Sequence, residues 1–346
     1  MGKRFIILAA AMLAAGIEGF AQTDVQKAAA AAAVAINEAA QTEQVVAKPN
    51  YWEKTLLTKL DFTNTSLTNW AAGGYNTATL KSFIDANANY AKDNNFWKTR
   101  LQLDYGFLYS DDKPFLQKSD DRIYLESKWG YKSSKIKNLS LSAQYTFKSQ
   151  FSNSWVYTSP GPDATKDDWM ALRGLKSGLL SPANTSIALG VDWIPTKWLT
   201  INFAPLTGGF VIVGNKDLRK DYSMQLKKQY RGIQDDILSS YYSPARFEFG
   251  AQLKADAKFT INKVFNYTTQ LVLFSDYLDK PQNMRVNWDN RFDWKVAKYF
   301  SFTITSYLIY DDKVLVKTEE HPEGMRLLQL KESLAFGFSY TFSSKK

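Results

Sequence analysis

Residues 284–310 alternate without a break, reverse over a tight turn, and alternate again. Met284, Val286, Trp288, Phe292, Trp294 and Val296 hold one parity, while Arg285, Asn287, Asp289, Arg291, Asp293 and Lys295 hold the other. Successive side chains of a strand point to opposite faces, so one surface of this segment is apolar and the other ionic. A strand of a soluble sandwich seldom runs for about 13 residues or carries a charge or amide at every polar position. After Ala297 and Lys298 the chain returns through 299–310, with Phe300, Phe302, Ile304, Leu308 and Tyr310 on one side. Two long amphipathic strands joined in this way predict a hairpin of a transmembrane β-barrel, its apolar face toward lipid and its ionic face toward the lumen.

The same unit recurs along the chain. From Lys54 onward about twelve strands can be counted, an even number as in single-chain bacterial barrels. Residues 97–109 set Trp97, Leu101, Leu103 and Tyr105 against Lys98, Arg100, Gln102 and Asp104. Residues 122–131 set Ile123, Leu125 and Trp129 against Arg122, Glu126 and Lys128, and residues 139–151 place Lys148 on the inward parity. Residues 247–261 set Phe249, Leu253 and Phe259 against Lys254, Asp256 and Lys258, and residues 55–64 put Lys59 inward. Alternate connections are short, at 93–95, 132–138, 195–197, 262–263 and 297–298. Those between them are long, at 66–78, 110–121, 152–185, 214–246 and 311–326, with 278–283 the brief exception. Short periplasmic turns and longer external loops are the habit of outer-membrane barrels, and this phase puts both termini in the periplasm. Trp97, Trp129, Tyr131, Trp193 and Trp294 fall near the short turns, and Tyr109, Tyr277 and Tyr310 near the long loops, as two aromatic girdles require. The expected fold is all-β: an antiparallel up-and-down transmembrane barrel of about twelve strands over residues 51–346.

The N-terminus gives the compartment. Lys3 and Arg4, an apolar run over 5–17 and the small-residue site Gly19-Phe20-Ala21 read as a secretory signal over residues 1–21. Residues 22–50 are alanine-rich and predict a periplasmic segment, either a loose helix or a tether. Export of a strand-rich body with no apolar run long enough for a spanning helix points to the outer membrane of a Gram-negative bacterium. Outer-membrane lipid, lipopolysaccharide and the barrel-assembly machinery are then the expected partners. Cysteine is absent, so neither disulfides nor thiolate metal sites contribute. The formal charge of +9 is spread along the chain and forms no basic cluster of the kind that binds nucleic acid.

Several segments carry a resemblance. Asn69-Trp70-Ala71-Ala72-Gly73-Gly74, Lys118-Ser119-Asp120-Asp121-Arg122, Trp129-Gly130-Tyr131-Lys132, Ile309-Tyr310-Asp311-Asp312 and Leu328-Gln329-Leu330-Lys331-Glu332 resemble an uncharacterised family of Bacteroidota outer-membrane barrels, of the domain-of-unknown-function kind. The Trp-Ala-Ala-Gly-Gly segment is its most specific part. The resemblance implies the compartment and the fold, and carries no catalytic or binding residue with it.

No constellation in the sequence points to catalysis. A barrel hydrolase needs a serine with a histidine in reach, and the single histidine, His321, sits in an external loop beside Glu319, Glu320 and Pro322. The expectation is a non-enzyme without cofactor or metal. The inward parity mixes about a dozen Lys or Arg with about ten acids, and near-balanced charge favours cross-strand pairs that brace the wall of a narrow, heavily occupied lumen. Val272, Phe274, Tyr307 and Ile309 share that parity yet are apolar or aromatic. Either loop 152–185 packs on them, through Trp169, Met170, Leu172, Leu175, Leu179 or Leu180, or they receive an apolar or aromatic solute. Five Asp-Asp pairs, beginning at 111, 120, 167, 235 and 311, fall in external loops, where they are either solvated or attract divalent cations. Asn290 is polar on the apolar parity, so it lies near an interface or meets another protein, such as a second copy in a homo-oligomer. The expected function is a narrow channel or binding barrel for small or hydrophobic solutes. A non-transporting envelope or assembly accessory is the alternative, and a hydrolase the more distant one.

Overall fold

A computed structural model describes residues 50–65, 77–161, 164–232, 237–262, 264–314 and 325–344. The expected signal sequence over residues 1–21, the alanine-rich segment up to residue 49, the Trp-Ala-Ala-Gly-Gly segment and His321 lie outside the described residues.

Twelve strands close into one antiparallel barrel. In chain order they are β1 (Trp52–Thr65), β2 (Thr77–Lys92), β3 (Asn95–Ser110), β4 (Lys113–Lys132), β5 (Leu139–Ser149), β8 (Ala183–Thr196), β9 (Leu199–Ile212), β10 (Ala245–Ile261), β11 (Phe265–Asp276), β12 (Met284–Lys295), β13 (Phe300–Tyr310) and β14 (Gln329–Ser343). The short strands β6 (Ser154–Tyr157) and β7 (Arg173–Ser177) form a separate hairpin between β5 and β8, with a one-and-a-half-turn helix α1 (Lys166–Ala171) inside it. Closure is made by β1 against β14, from Thr55 opposite Ser343 to Phe62 opposite Phe336. Every strand edge is therefore paired, which a wall in hydrocarbon requires because lipid offers no hydrogen bonds to an open edge. Among the described residues no helix is long and apolar enough to cross a membrane.

The barrel is inside out relative to a soluble protein. Leu60, Phe62, Leu141, Ile187, Phe203, Leu206, Phe247 and Leu334 are exposed, whereas Lys59, Asp61, Asp85, Asp104, Lys128, Asp192 and Lys254 are buried. Trp97, Trp129, Tyr131, Trp193, Trp198 and Trp294 stand exposed near the short-turn end, and Tyr109 and Tyr277 near the long-loop end. On the short-turn half of β11 to β14 the rings stack across strands, Phe265 on Trp294 at 5.6 Å and Phe300 on Phe336 at 5.7 Å between centroids. These flat amphipathic contacts suit the headgroup level.

Two local departures from regular alternation have visible causes. Residues 110–121 are not a loop: β4 begins at Lys113, and Ser110 pairs with it across the two-residue turn Asp111-Asp112. At roughly 3.3 Å per residue, the 20 residues of β4 outrun the membrane, which needs only about ten, so this hairpin projects beyond it. Above the lipid the outward face no longer has to be apolar, and the alternation becomes unreadable there. In β9 the register slips by one between Ala204 opposite Gln252 and Thr207 opposite Gly250. Pro205 sits at that bulge, where its missing N–H costs the ladder least, and the inward set changes from Asn202 and Ala204 to Thr207 and Val211.

Asn290 finds a partner for its side-chain oxygen within the wall. Its side-chain oxygen accepts a hydrogen bond from the Tyr267 hydroxyl at 2.7 Å on the neighbouring strand, so the outward amide is partnered within the wall. Asn290→Ala strips the acceptor and leaves the phenol in hydrocarbon, and is expected to cost about 0.6–1 kcal/mol. The double replacement Asn290→Leu with Tyr267→Phe removes both polar groups and is expected to be nearly neutral. Urea unfolding in phospholipid vesicles, followed by tryptophan emission, measures both.

At the long-loop end, residues 213–232 and 237–244 fold back on the barrel. Val211, Val213, Leu218 and Met224 form a small buried apolar cluster, with Leu175 of β7, Tyr222 and Tyr242 packed against it. Arg246 fastens the loop by donating to the Tyr222 and Ser223 carbonyl oxygens at 3.2 and 2.6 Å. The Tyr222 hydroxyl donates to the Lys176 carbonyl at 3.1 Å. Burial, helped by the Asp221 carboxylate, pushes this phenol up to about 12. A raised folded pKa stabilises below the unfolded value, near 10, and that contribution is lost as pH climbs toward 12. The expected result is that Tyr222→Phe loses one late-ionising tyrosine from the absorbance titration at 295 nm, and that the loop residues 213–232 become protease-sensitive over that same pH window in the parent.

Candidate functional site

The inward faces of the strands converge on a lumen filled by ions. Its long-loop half holds a cavity of about 920 Å³. Tyr124, Gln144, Lys148, Lys254, Asp289 and Tyr307 are among the residues lining it.

The inward charges are mostly paired, and the pairs reach far around the ring of strands. Lys254 of β10 donates to Glu126 of β4 at 2.6 Å, although three strands separate them on the shorter path. Glu126 also accepts from Tyr124 at 2.5 Å and Gln144 at 3.3 Å, while Asp256 stands 3.4 Å from the same ammonium. Arg122 holds Asp104 at 2.7 Å and approaches Asp289 at 4.0 Å on β12, the diametrically opposite strand. Its guanidinium also lies 5.9 Å from the centre of the Tyr307 ring. Two bars thus cross the lumen at this level, Lys254 to Glu126 and Arg122 to Asp289.

Nearer the short turns, Arg100 grips Asp85 at 2.5 Å and Lys128 reaches Asp192 at 3.0 Å. Asn202 shares Asp192 at 2.6 Å. Arg291 holds Asp293 at 2.8 Å, and Lys59 donates to that same carboxylate from across three strand spacings. Toward the long loops, Arg285 contacts Glu248 and Asp311, each at 2.8 Å. Lys81 spans Asp104 and Asp120, both at 3.2 Å. In a low-dielectric wall such mutual pairing is what allows so many charges to be enclosed.

Not every inward charge is engaged. Lys98, Lys258 and Lys295, together with Lys132, are exposed at the short-turn end and have no ion-pair partner among the described residues. Lys98 lies instead over the Phe96 ring at 5.4 Å. Phe96 is buried against bare Gly130, where any Cβ would stand inside the ring.

Val272, Phe274, Tyr307 and Ile309 all line the cavity. Loop 152–185 does not cover them in the way the sequence suggests. Trp169 packs on Phe115 and β4 sits beneath it, Leu175 joins the Val213 cluster, and Leu172, Leu179 and Leu180 are exposed. The patch is faced by cations: besides Arg122 over Tyr307, Arg285 lies 5.2 Å from the Phe274 ring. Three inward aromatics, Phe83, Phe96 and Tyr124, were hidden among ionic neighbours in the sequence; Arg291 covers Phe83 at 4.7 Å. Their signal was parity alone.

The acidic pairs are consumed locally. Asp120 and Asp121 bind Lys81, Lys331 and Lys118, and Asp121 accepts from the Phe151 and Ser152 amides. Asp168 caps α1 in a reciprocal pair with Thr165, which holds its carboxyl below the usual range. Asp311 meets Arg285, and Asp312 accepts from Asn283 at 2.6 Å. Asp235 and Asp236 lie outside the described residues. Among the described residues no group of three or more His, Cys, Asp or Glu is arranged to hold a metal ion.

Residues 62–155 match the family described as "Protein of unknown function (DUF3078)", an interval that includes the Trp-Ala-Ala-Gly-Gly positions. No curated protein matches the chain. Among solved structures, the translocator domain of the autotransporter NalP from Neisseria meningitidis is 12% identical, with a TM-score of 0.36 over 92% of this chain and 98% of that one. An outer-membrane channel from Pseudomonas putida F1 is 10% identical, with a TM-score of 0.36 over 86% of this chain and 97% of its own. A mutant of the TodX monoaromatic hydrocarbon channel is 10% identical, with a TM-score of 0.34 over 86% and 90% of the two chains.

Proposed function

We propose that this protein is a narrow channel of a Gram-negative outer membrane, which receives small solutes in a cavity at its long-loop end and passes them slowly through an ion-braced lumen. The observation that carries the reading is the cavity of about 920 Å³ standing directly over two charge bars that cross the barrel. An open porin would keep its charges on the wall, and a barrel that serves only as a structural plug would have no use for a roomy, charged chamber. The apolar outer face with its two aromatic levels supports residence in a bilayer, with lipid and lipopolysaccharide as its surroundings. The signal-like N-terminus supports export and insertion by the barrel-assembly machinery, with both termini in the periplasm. Every acid facing the cavity lies within about 4 Å of a cation, which supports reading these carboxylates as braces of the wall.

Purified protein in planar bilayers tests this. The expected trace is a small, saturable conductance together with slow solute entry in liposome swelling. A large, steady, ohmic conductance would overturn the narrow lumen, and a complete absence of both current and solute entry would overturn transport.

A further inference from the structure

Electrical balance in the upper chamber leaves a remainder. Eight Lys or Arg and six Asp or Glu line the cavity. Six of those cations are engaged: Lys81, Lys118, Arg122, Lys254, Arg285 and Lys331 each hold a carboxylate. The remaining two are Lys148 of β5 and Lys176 of β7. Neither ammonium has an ion pair or a hydrogen bond among the described residues. Lys176 is exposed toward the loops, but Lys148 is half-buried in the wall, with the Tyr124 ring 5.5 Å from its Nζ. A half-buried ammonium with no carboxylate in direct contact is the arrangement that an incoming anion completes, since a charge-assisted hydrogen bond there replaces lost hydration.

The opposite side of the chamber supplies the other half of a ligand. β13 lies diametrically across the ring of strands from β5, and its Tyr307 and Ile309, with Val272 of β11, give the cavity an apolar and aromatic wall. At the short-turn end Lys98, Lys132, Lys258 and Lys295 form an unpaired basic exit. Unpaired charge of one sign at both ends of a lumen whose middle is neutralised favours anions along the path.

We infer that the chamber binds small organic anions, the carboxylate seated on Lys148 and the apolar body lying against Val272, Tyr307 and Ile309. The inference rests on the channel reading only for how the ligand is delivered and released, and names the solute class for it.

Calorimetry on the whole barrel in detergent, with benzoate and its uncharged isostere benzamide, decides it. Benzoate is expected to bind at least tenfold more tightly than benzamide. Lys148→Gln is expected to erase that difference, Lys148→Arg to keep most of it, and both to retain the parental heat-modifiable mobility on gels. Equal binding of the two probes, or a preference for benzoate untouched by Lys148→Gln, would overturn the site. If Lys148→Gln does not fold, the probe comparison on the parental barrel decides alone. Benzoate binding that depends on Lys148 in a barrel that conducts nothing supports the site and removes the channel; conduction without benzoate preference removes the site and leaves the channel.

Discussion

Glu126→Gln is expected to be among the most destabilising single substitutions in the barrel, at about 3 kcal/mol in urea unfolding from phospholipid vesicles. Lys254 is 2% exposed, and Glu126 is its nearest carboxylate at 2.6 Å. Removing one member of a buried pair leaves the other's charge without its counter-ion, typically at a cost of about 3–5 kcal/mol. The lower end applies because Asp256 remains 3.4 Å from the ammonium. The substitution also weakens the acceptor for Tyr124, and the secondary one for Gln144, which keeps Thr146 at 3.2 Å. Glu126→Leu with Lys254→Met removes both charges and much of the cost, and is expected to lie well above either single variant in stability. A double variant no more stable than Glu126→Gln would mean that the pair's geometry, and not its charge balance, supports the wall.

The contrast between what could be read from the chain and what could not follows from range. Whether a side chain faces lipid or lumen is decided by its own parity, a local property, so residues 284–295 declared both faces from sequence alone. The alternation of short and long connections is equally local, and it held except at Asp111-Asp112. There β3 and β4 continue beyond the bilayer, and Phe115 turns toward Tyr157 and Trp169 because no lipid dictates its face. Pro205, Gly208 and Gly209 are residue types that mark a bulge or bend within a strand, but nothing local in them gives the one-residue change of parity. Which charge meets which is not local at all. Glu126 and Lys254 are brought together only when β1 closes on β14 and curls strands four positions apart toward each other. For the same reason the sequence could count inward lysines but could not single out Lys148, whose distinction is the company it lacks. The apolar patch at Val272, Phe274, Tyr307 and Ile309 was legible by parity, whereas the guanidinium groups over two of its rings were not.

The second large effect concerns passage. Replacing both Glu126 and Lys254 by serine removes a bar at its two ends and leaves without its cation only Asp256, which is partly exposed and still accepts from Gln270 at 2.7 Å, so the wall keeps most of its pairing while the middle of the lumen opens. Single-channel conductance in planar bilayers is expected to rise severalfold over the parent. Lys59→Ser with Asp293→Ser is the informative control. That pair also spans the interior, from β1 to β12, but it lies nearer the short turns, is backed by Arg291 on Asp293 and by Thr303, and does not border the cavity. If the Lys254 bar limits passage, the control changes conductance much less than the first pair does. Equal increases from both would move the constriction from one level to the whole ionic filling, and no increase from either would place the limit at the folded-back loop residues around Leu218 and Met224. The ion preference of the opened pore adds a second reading of the same variant: the unpaired lysines at the short-turn end are untouched, so the current is expected to stay biased toward chloride even as it grows.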